Sequence, residues 1–155
     1  MSEHKASLKW RLAEGADFLK GRYSREHSWT FDGGASVPAS SSPSAVPLPW
    51  SNPAHVDPEE AFVASLASCH MLTFLYLASR KGFAVQSYED EAIGTLSKGD
   101  GGVMWVSTVV LRPRIRYGGD RKPTHEESEE LHHKAHEQCF IANSVKTEVT
   151  VRAAE

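Results

Sequence analysis

The sequence predicts a single α+β domain over residues 1–155, with antiparallel sheet around one long central helix. Three observations lead there. An uncharged stretch, Ala61–Ala78, is framed by helix-start and helix-stop residues. Segments of alternating polarity lie on both sides of it. The order is strands, long helix, strands, helix, strand, which builds a mixed domain rather than a β-α-β winding.

The helix is expected over 57–82. Asp57 can cap it, Pro58 suits the first helical position, and Glu60 completes a capping box. Arg80 and Lys81 favour the negative end of the dipole, and Gly82 stops the helix. Apolar residues fall on every side, so the helix is expected to be buried all round. Its apolar run is about long enough to span a bilayer. Ser65, Ser68, His70 and Thr73 interrupt it, however, and a core helix is expected instead.

Before the helix, Ala6–Leu12 alternates and reads as a half-buried strand with Ala6, Leu8, Trp10 and Leu12 inward. Ser24–Phe31 reads as a second strand. There Arg25, His27, Trp29 and Phe31 share one face, and the aromatic face is expected to point inward. Residues 38–57 form a Pro/Ser-rich loop. Six of the eight prolines lie between Pro38 and Pro58. Loops of that length are functional covers or linkers, and Trp50 is a candidate pocket wall.

After the helix, Val85–Leu96 reads as a strand, Lys98–Gly102 as a turn, and Val103–Tyr117 as a long strand. On that strand Arg112, Arg114 and Arg116 form a solvated face. Thr124-x-x-Glu127 is a capping box that opens a second helix to about Gln138. Leu131 and Ala135 make its narrow apolar stripe, and Cys139 falls on the stripe's extension. Val145–Val151 is a final strand.

The chain has 155 residues and a net charge of −3, so nothing points to a nucleic-acid partner. The N-terminal residues lack an apolar signal-like run. Two cysteines without a secretion signal favour a reducing, cytoplasmic setting. No Gly-rich phosphate loop, G-x-S-x-G or H-E-x-x-H pattern occurs.

The candidate chemistry centres on Cys69 in the long helix and on Cys139. A buried cysteine is often only a small hydrophobe. An inward Arg25, however, supplies a cation that favours a thiolate. Glu59, in the first turn of the helix that carries Cys69, supplies a carboxylate to orient that arginine. Thiolate, guanidinium and carboxylate together can attack the O–O bond of a peroxide, and a second thiol can capture the sulfenic acid that forms. His132, His136 and Cys139 lie on one side of the second helix, which leaves zinc as an alternative. His70 is about 100° round the helix from Cys69, so it is read as a packed core histidine.

The stretch DPEEAFVASLASCH resembles the signature of the OsmC/Ohr family, in which a proline–glutamate pair opens a long helix and a cysteine follows about ten residues later. This maps Glu59 and Cys69. EQCFIANSV resembles the family's second cysteine motif and maps Cys139. YSREHSWTFDGG looks like the N-terminal strand of the OsmC-like branch, with Arg25 the best match for the active-site arginine and Arg22 the fallback. His70, Phe140 and the pair Ala142-Asn143 depart from the family's usual residues. With the Pro/Ser loop, they favour the OsmC-like branch over Ohr proper.

The resemblance implies a thiol-dependent peroxidase acting on organic hydroperoxides in oxidative stress defence. It implies an intertwined homodimer whose sites lie at the dimer interface. It also implies an external dithiol reductant, lipoyl groups in the Ohr branch, and no metal or prosthetic group. An alternative is a non-enzymatic dimer of the same fold that binds a small apolar ligand.

Overall fold

The computed structural model describes residues 1–153. The chain forms two compact units, residues 1–61 and residues 62 onward.

The first unit is an antiparallel sheet of β1 (Ala6–Lys9), β2 (His27–Phe31) and β3 (Ser36–Ala39), in that order. Its register sets Leu8 opposite Trp29 and Trp29 opposite Val37. The expected first strand is thus shorter, and it is not half-buried: Leu8 is 66% and Trp10 43% exposed. Arg25 lies before β2 rather than within it. The Pro/Ser loop is not a free linker. Ala39 and Val56 form a parallel bridge, Ser40 N–H donates to Val56 O, and the buried Ser40 Oγ accepts from Asn52 N–H at 3.0 Å.

Helix α1 (Pro58–Arg80) begins as its sequence demands. Glu60 N–H donates to Asp57 Oδ1 at 2.8 Å, and Asp57 N–H donates to Glu60 Oε2 at 3.1 Å, a reciprocal capping box. It ends at Gly82, whose φ of +79° suits the left-handed turn, and Phe83 N–H closes onto Ala78 O. The expectation of all-round burial fails. Leu66, His70, Phe74 and Ala78 form one buried stripe at four-residue spacing. Ala64, Ser68, Leu72 and Tyr76 form an exposed one, with Leu72 61% and Tyr76 62% exposed. By length and composition α1 could cross a membrane, yet its buried stripe packs into the core of the second unit.

In the second unit the two expected strands are each broken once, at matching places. β4 (Ala84–Asp90) pairs antiparallel with β7 (Pro113–Gly118), and β5 (Ile93–Lys98) pairs antiparallel with β6 (Met104–Leu111). Asp90 explains the break. Its Oδ1 takes the Arg112 N–H at 2.7 Å, a donor that would otherwise serve the ladder. Proline follows at 113 and can donate nothing. Arg112, Arg114 and Arg116 are exposed, as expected.

Helix α2 (His125–Gln138) carries the Thr124–Glu127 capping box and buries Leu131 and Ala135. It returns the chain so that β8 (Glu148–Val151) pairs parallel to β6, the one departure from antiparallel order among the described strands. Phe74, Ala78, Phe83, Leu131 and Ala135 form one core cluster, and Leu66, Val109 and Leu111 form another.

Candidate functional site

The structure brings the two cysteines together. Cys69 sits mid-helix on α1 and is half-buried, while Cys139 is the C-cap residue of α2 and is 1% exposed. Burial, and then a hydrogen bond to Cys69, push the Cys139 thiol up to about 11. A neighbour that raises a thiol's pKa favours its protonated form, so Cys139 stays a thiol at neutral pH.

The segment after α2 holds Cys139 in place. Ala142 N–H donates to Cys139 Sγ at 3.4 Å. The Asn143 side-chain amide donates to the carbonyls of Glu137 at 2.8 Å and Cys139 at 2.9 Å, and Asn143 N–H also reaches Cys139 O. These bonds satisfy helix-end carbonyls that would otherwise lack partners. The sequence reading missed this role, although an asparagine four residues past a helix-end cysteine is a usable capping signal.

In the first unit, Arg25 is half-buried and tightly framed. Its Nη1 donates to Gly21 O at 2.9 Å and to Tyr23 O, and its guanidinium lies 3.7 Å above the Tyr23 ring centre. Its backbone N–H donates to Trp50 O. Its carbonyl accepts from His27 Nδ1 at 2.7 Å, because Trp29 Nε1–H already donates to His27 Nε2 and so fixes the tautomer. Among the described residues the Glu59 carboxylate has no hydrogen bond or ion pair, and carbonyls rather than Glu59 hold the guanidinium. Arg22 is exposed. Glu26 is committed elsewhere: Asn52 and Ser24 donate to its carboxylate and hold it below the usual range.

Arg25 also lines a cleft of about 460 Å³ with Trp10, Phe18, Tyr23, Ser41 and Pro58. The three aromatic rings are mutually packed at 4.7 to 5.9 Å between centres. Trp50, the expected wall, contributes only backbone bonds to Arg25 and Pro47.

A second pair of side chains meets in the core of the second unit. His70 Nε2 and His132 Nδ1 are 3.1 Å apart, with the rings 1% and 6% exposed. The planes differ by 6° and the centres are 5.4 Å apart. That separation matches two rings meeting edge to edge along one line, so the bond is in-plane and the rings do not overlap. Phe74 covers the face of His132 at 4.4 Å. Burial, then His132 and His136, bring His70 down to about 4, and burial alone does the same for His132. His70 is the core histidine expected, but its partner went unseen. The structure does not gather His132, His136 and Cys139 into one cluster. Cys139 turns to Cys69, His132 to His70, and no cluster of three metal-ligating side chains occurs among the described residues.

Residues 51–154 match the family model of OsmC-like proteins. The structure is similar to that of an OsmC-like protein of unknown function from Vibrio cholerae, at 51% identity and a TM-score of 0.96, covering 99% of this chain and 100% of that one. It is also similar to an OsmC-like protein from Mycoplasma pneumoniae, at 14% identity and a TM-score of 0.71 over 99% of this chain and 96% of that one. An organic hydroperoxide resistance protein from Elizabethkingia anophelis, solved with crystallant-derived thiocyanate bound, shares the fold at 17% identity and a TM-score of 0.71, over 99% and 98%. No curated protein matches the sequence. The chain therefore belongs to the OsmC-like protein family, and its α+β fold is that family's fold.

Proposed function

We propose that this protein is a cysteine-based peroxidase that reduces organic hydroperoxides, and hydrogen peroxide less well, in oxidative stress defence. The observation that carries the reading is the meeting of two free cysteines, a half-buried Cys69 on α1 and a buried Cys139 at the end of α2, near enough for Cys69 to shift the Cys139 thiol. The half-buried Cys69 is the peroxidatic residue, since a peroxide reaches it before the buried Cys139. Its thiolate attacks the O–O bond, sulfur gains OH, and the alkoxide leaves and takes a proton from water to become the alcohol. Cys139 then displaces the hydroxyl as water and forms the Cys69–Cys139 disulfide. An external dithiol, of the lipoyl type, restores both thiols.

In this reading Arg25 stabilises charge on the peroxide oxygens, and Glu59 takes part in orienting it once a second copy and substrate complete the site. The exposed stripe through Leu72 and Tyr76 supports a homodimer. A cytoplasmic location fits two free thiols. The reading includes no metal, prosthetic group, nucleic acid or membrane.

Stopped-flow oxidation of the reduced protein, comparing cumene hydroperoxide with hydrogen peroxide, tests it with mass spectrometry of the products. Fast formation of the disulfide, faster with the organic peroxide and abolished by Cys69→Ser, is the expected result. Turnover that survives Cys69→Ser sinks the assignment.

The aromatic cleft around Tyr23 favours a second reading, a non-enzymatic dimer that binds a small apolar ligand. Thiols that oxidise no faster than free cysteine, together with saturable quenching of tryptophan fluorescence by an aryl ligand, would select it.

A further inference from the structure

The chain keeps two imidazoles in an apolar core, where leucine or phenylalanine would pack without a hydrogen-bonding demand. One nitrogen of each ring meets the other at 3.1 Å and in one plane, while His70 Nδ1 and His132 Nε2 are buried without a partner. His70 follows Cys69 directly on α1. His132 lies seven residues before Cys139, close to two turns, so both fall along one side of α2. The imidazole pair and the thiol pair are therefore two ties between the same two segments. Apolar packing of Leu131 and Ala135 against Phe74 and Ala78 tolerates sliding, whereas an in-plane N–H···N bond does not. Buried polar pairs are best attested as registry devices of this kind.

We infer that His70 and His132 are positioning residues for disulfide formation, locking the end of α2 in the register that holds the Cys139 thiol against Cys69. The inference rests on the reading above, in which Cys139 resolves an oxidised Cys69. In that step the Cys139 sulfur attacks the sulfenic sulfur. The S–S bond forms, the S–O bond breaks, and the hydroxyl leaves as water with the Cys139 proton. The peroxide consumed earlier is the oxidant. The attack needs the two sulfurs held near contact, and a small misplacement slows such a step steeply. Of the two cysteines the first step needs only Cys69, and it does not depend on the bridge.

The test separates the two steps. His132→Leu should leave oxidation of Cys69 by cumene hydroperoxide within about twofold of wild type. It should slow disulfide formation by about tenfold or more, so that a dimedone-type probe traps sulfenic acid. His132→Asn places an amide nitrogen or oxygen where Nδ1 lies, and His70→Gln does the same for Nε2. Each of these should recover most of the lost rate. A purely space-filling role predicts the opposite order, with leucine tolerated better than the amides.

Disulfide formation driven by diamide, an azodicarboxamide oxidant that needs no peroxide site, gives an independent rate. If wild type ignores every peroxide, the peroxidase reading fails, but the diamide rates still judge the bridge. Unchanged partition in His132→Leu, equal slowing of both steps, or failure of the amide variants to recover would overturn the inference.

Discussion

Acid should destabilise this protein through the buried imidazole pair, and the size of the effect follows from the site. His70 and His132 bind protons near 6.5 when unfolded but only at about 4 when folded. The folded state therefore resists protons that the unfolded state accepts. The stabilisation from the neutral pair is full above pH 6.5 and is lost as pH falls from there toward 4. At about 1.4 kcal/mol for each tenfold change in proton affinity, one such imidazole accounts for about 2.5 kcal/mol lost by pH 4.5. The two rings touch, so their costs do not simply add.

The comparison variant is His70→Leu/His132→Leu. It removes both partners at once and leaves no orphaned donor, a change that can be nearly neutral at pH 7.5. Urea unfolding at fixed protein concentration, followed by tryptophan fluorescence at pH 7.5 and 4.5, reads the difference. Wild type should lose about 2.5 kcal/mol more than the variant over that interval. Exposed histidines and carboxylates titrate in both proteins and cancel. Parallel pH profiles, differing by less than about 0.5 kcal/mol, would refute the assignment of the acid sensitivity to this pair.

Three further expectations come from other elements. A Cβ built on Gly94 would lie 2.5 Å from Val63 Cγ2 and 3.4 Å from Val106 Cγ1. Gly94→Ala should therefore cost about 1 to 3 kcal/mol in urea unfolding, and an unchanged midpoint would mean that the strand yields freely. Thr124→Ala removes the acceptor of the Glu127 N–H, a bond of 3.2 Å. It should cost about 1 kcal/mol, read as a lower melting temperature with peroxide kinetics unchanged. Leu72→Glu puts a charge on the exposed stripe of α1 and, if the protein is the proposed homodimer, should shift it toward monomer in light scattering. Dimers that persist would remove this stripe from the interface.

Both helices were legible because their ends are chemically marked. Asp57 with Glu60, Thr124 with Glu127, and Gly82 each state a local demand that no distant contact overrides. The strands were legible as polarity patterns but not in their interruptions. The corner at Arg112 depends on the Asp90 side chain capturing a backbone donor 22 residues away in sequence. The burial of α1 was overread because an uncharged helix looks the same whether its apolar sides meet this chain or another. The family motifs marked Cys69 and Cys139 one by one, but 70 residues separate them and only the fold decides that they meet. His132 was hidden for a related reason. It stands among solvated histidines, and only the fold reveals which of them turns inward. Arg25 was placed on a strand face by alternation, whereas carbonyls of the preceding turn hold its guanidinium.

The Asn143 side chain gives the protein a property of its own. That amide ties down the carbonyls of Glu137 and Cys139 at the end of α2, while the cysteine sulfur accepts the Ala142 N–H. A thiol that also served as a structural clasp would loosen its surroundings each time it changed partner. Here the carbonyls at the helix end keep a fastening of their own, which would stay in place if the sulfur changed partner.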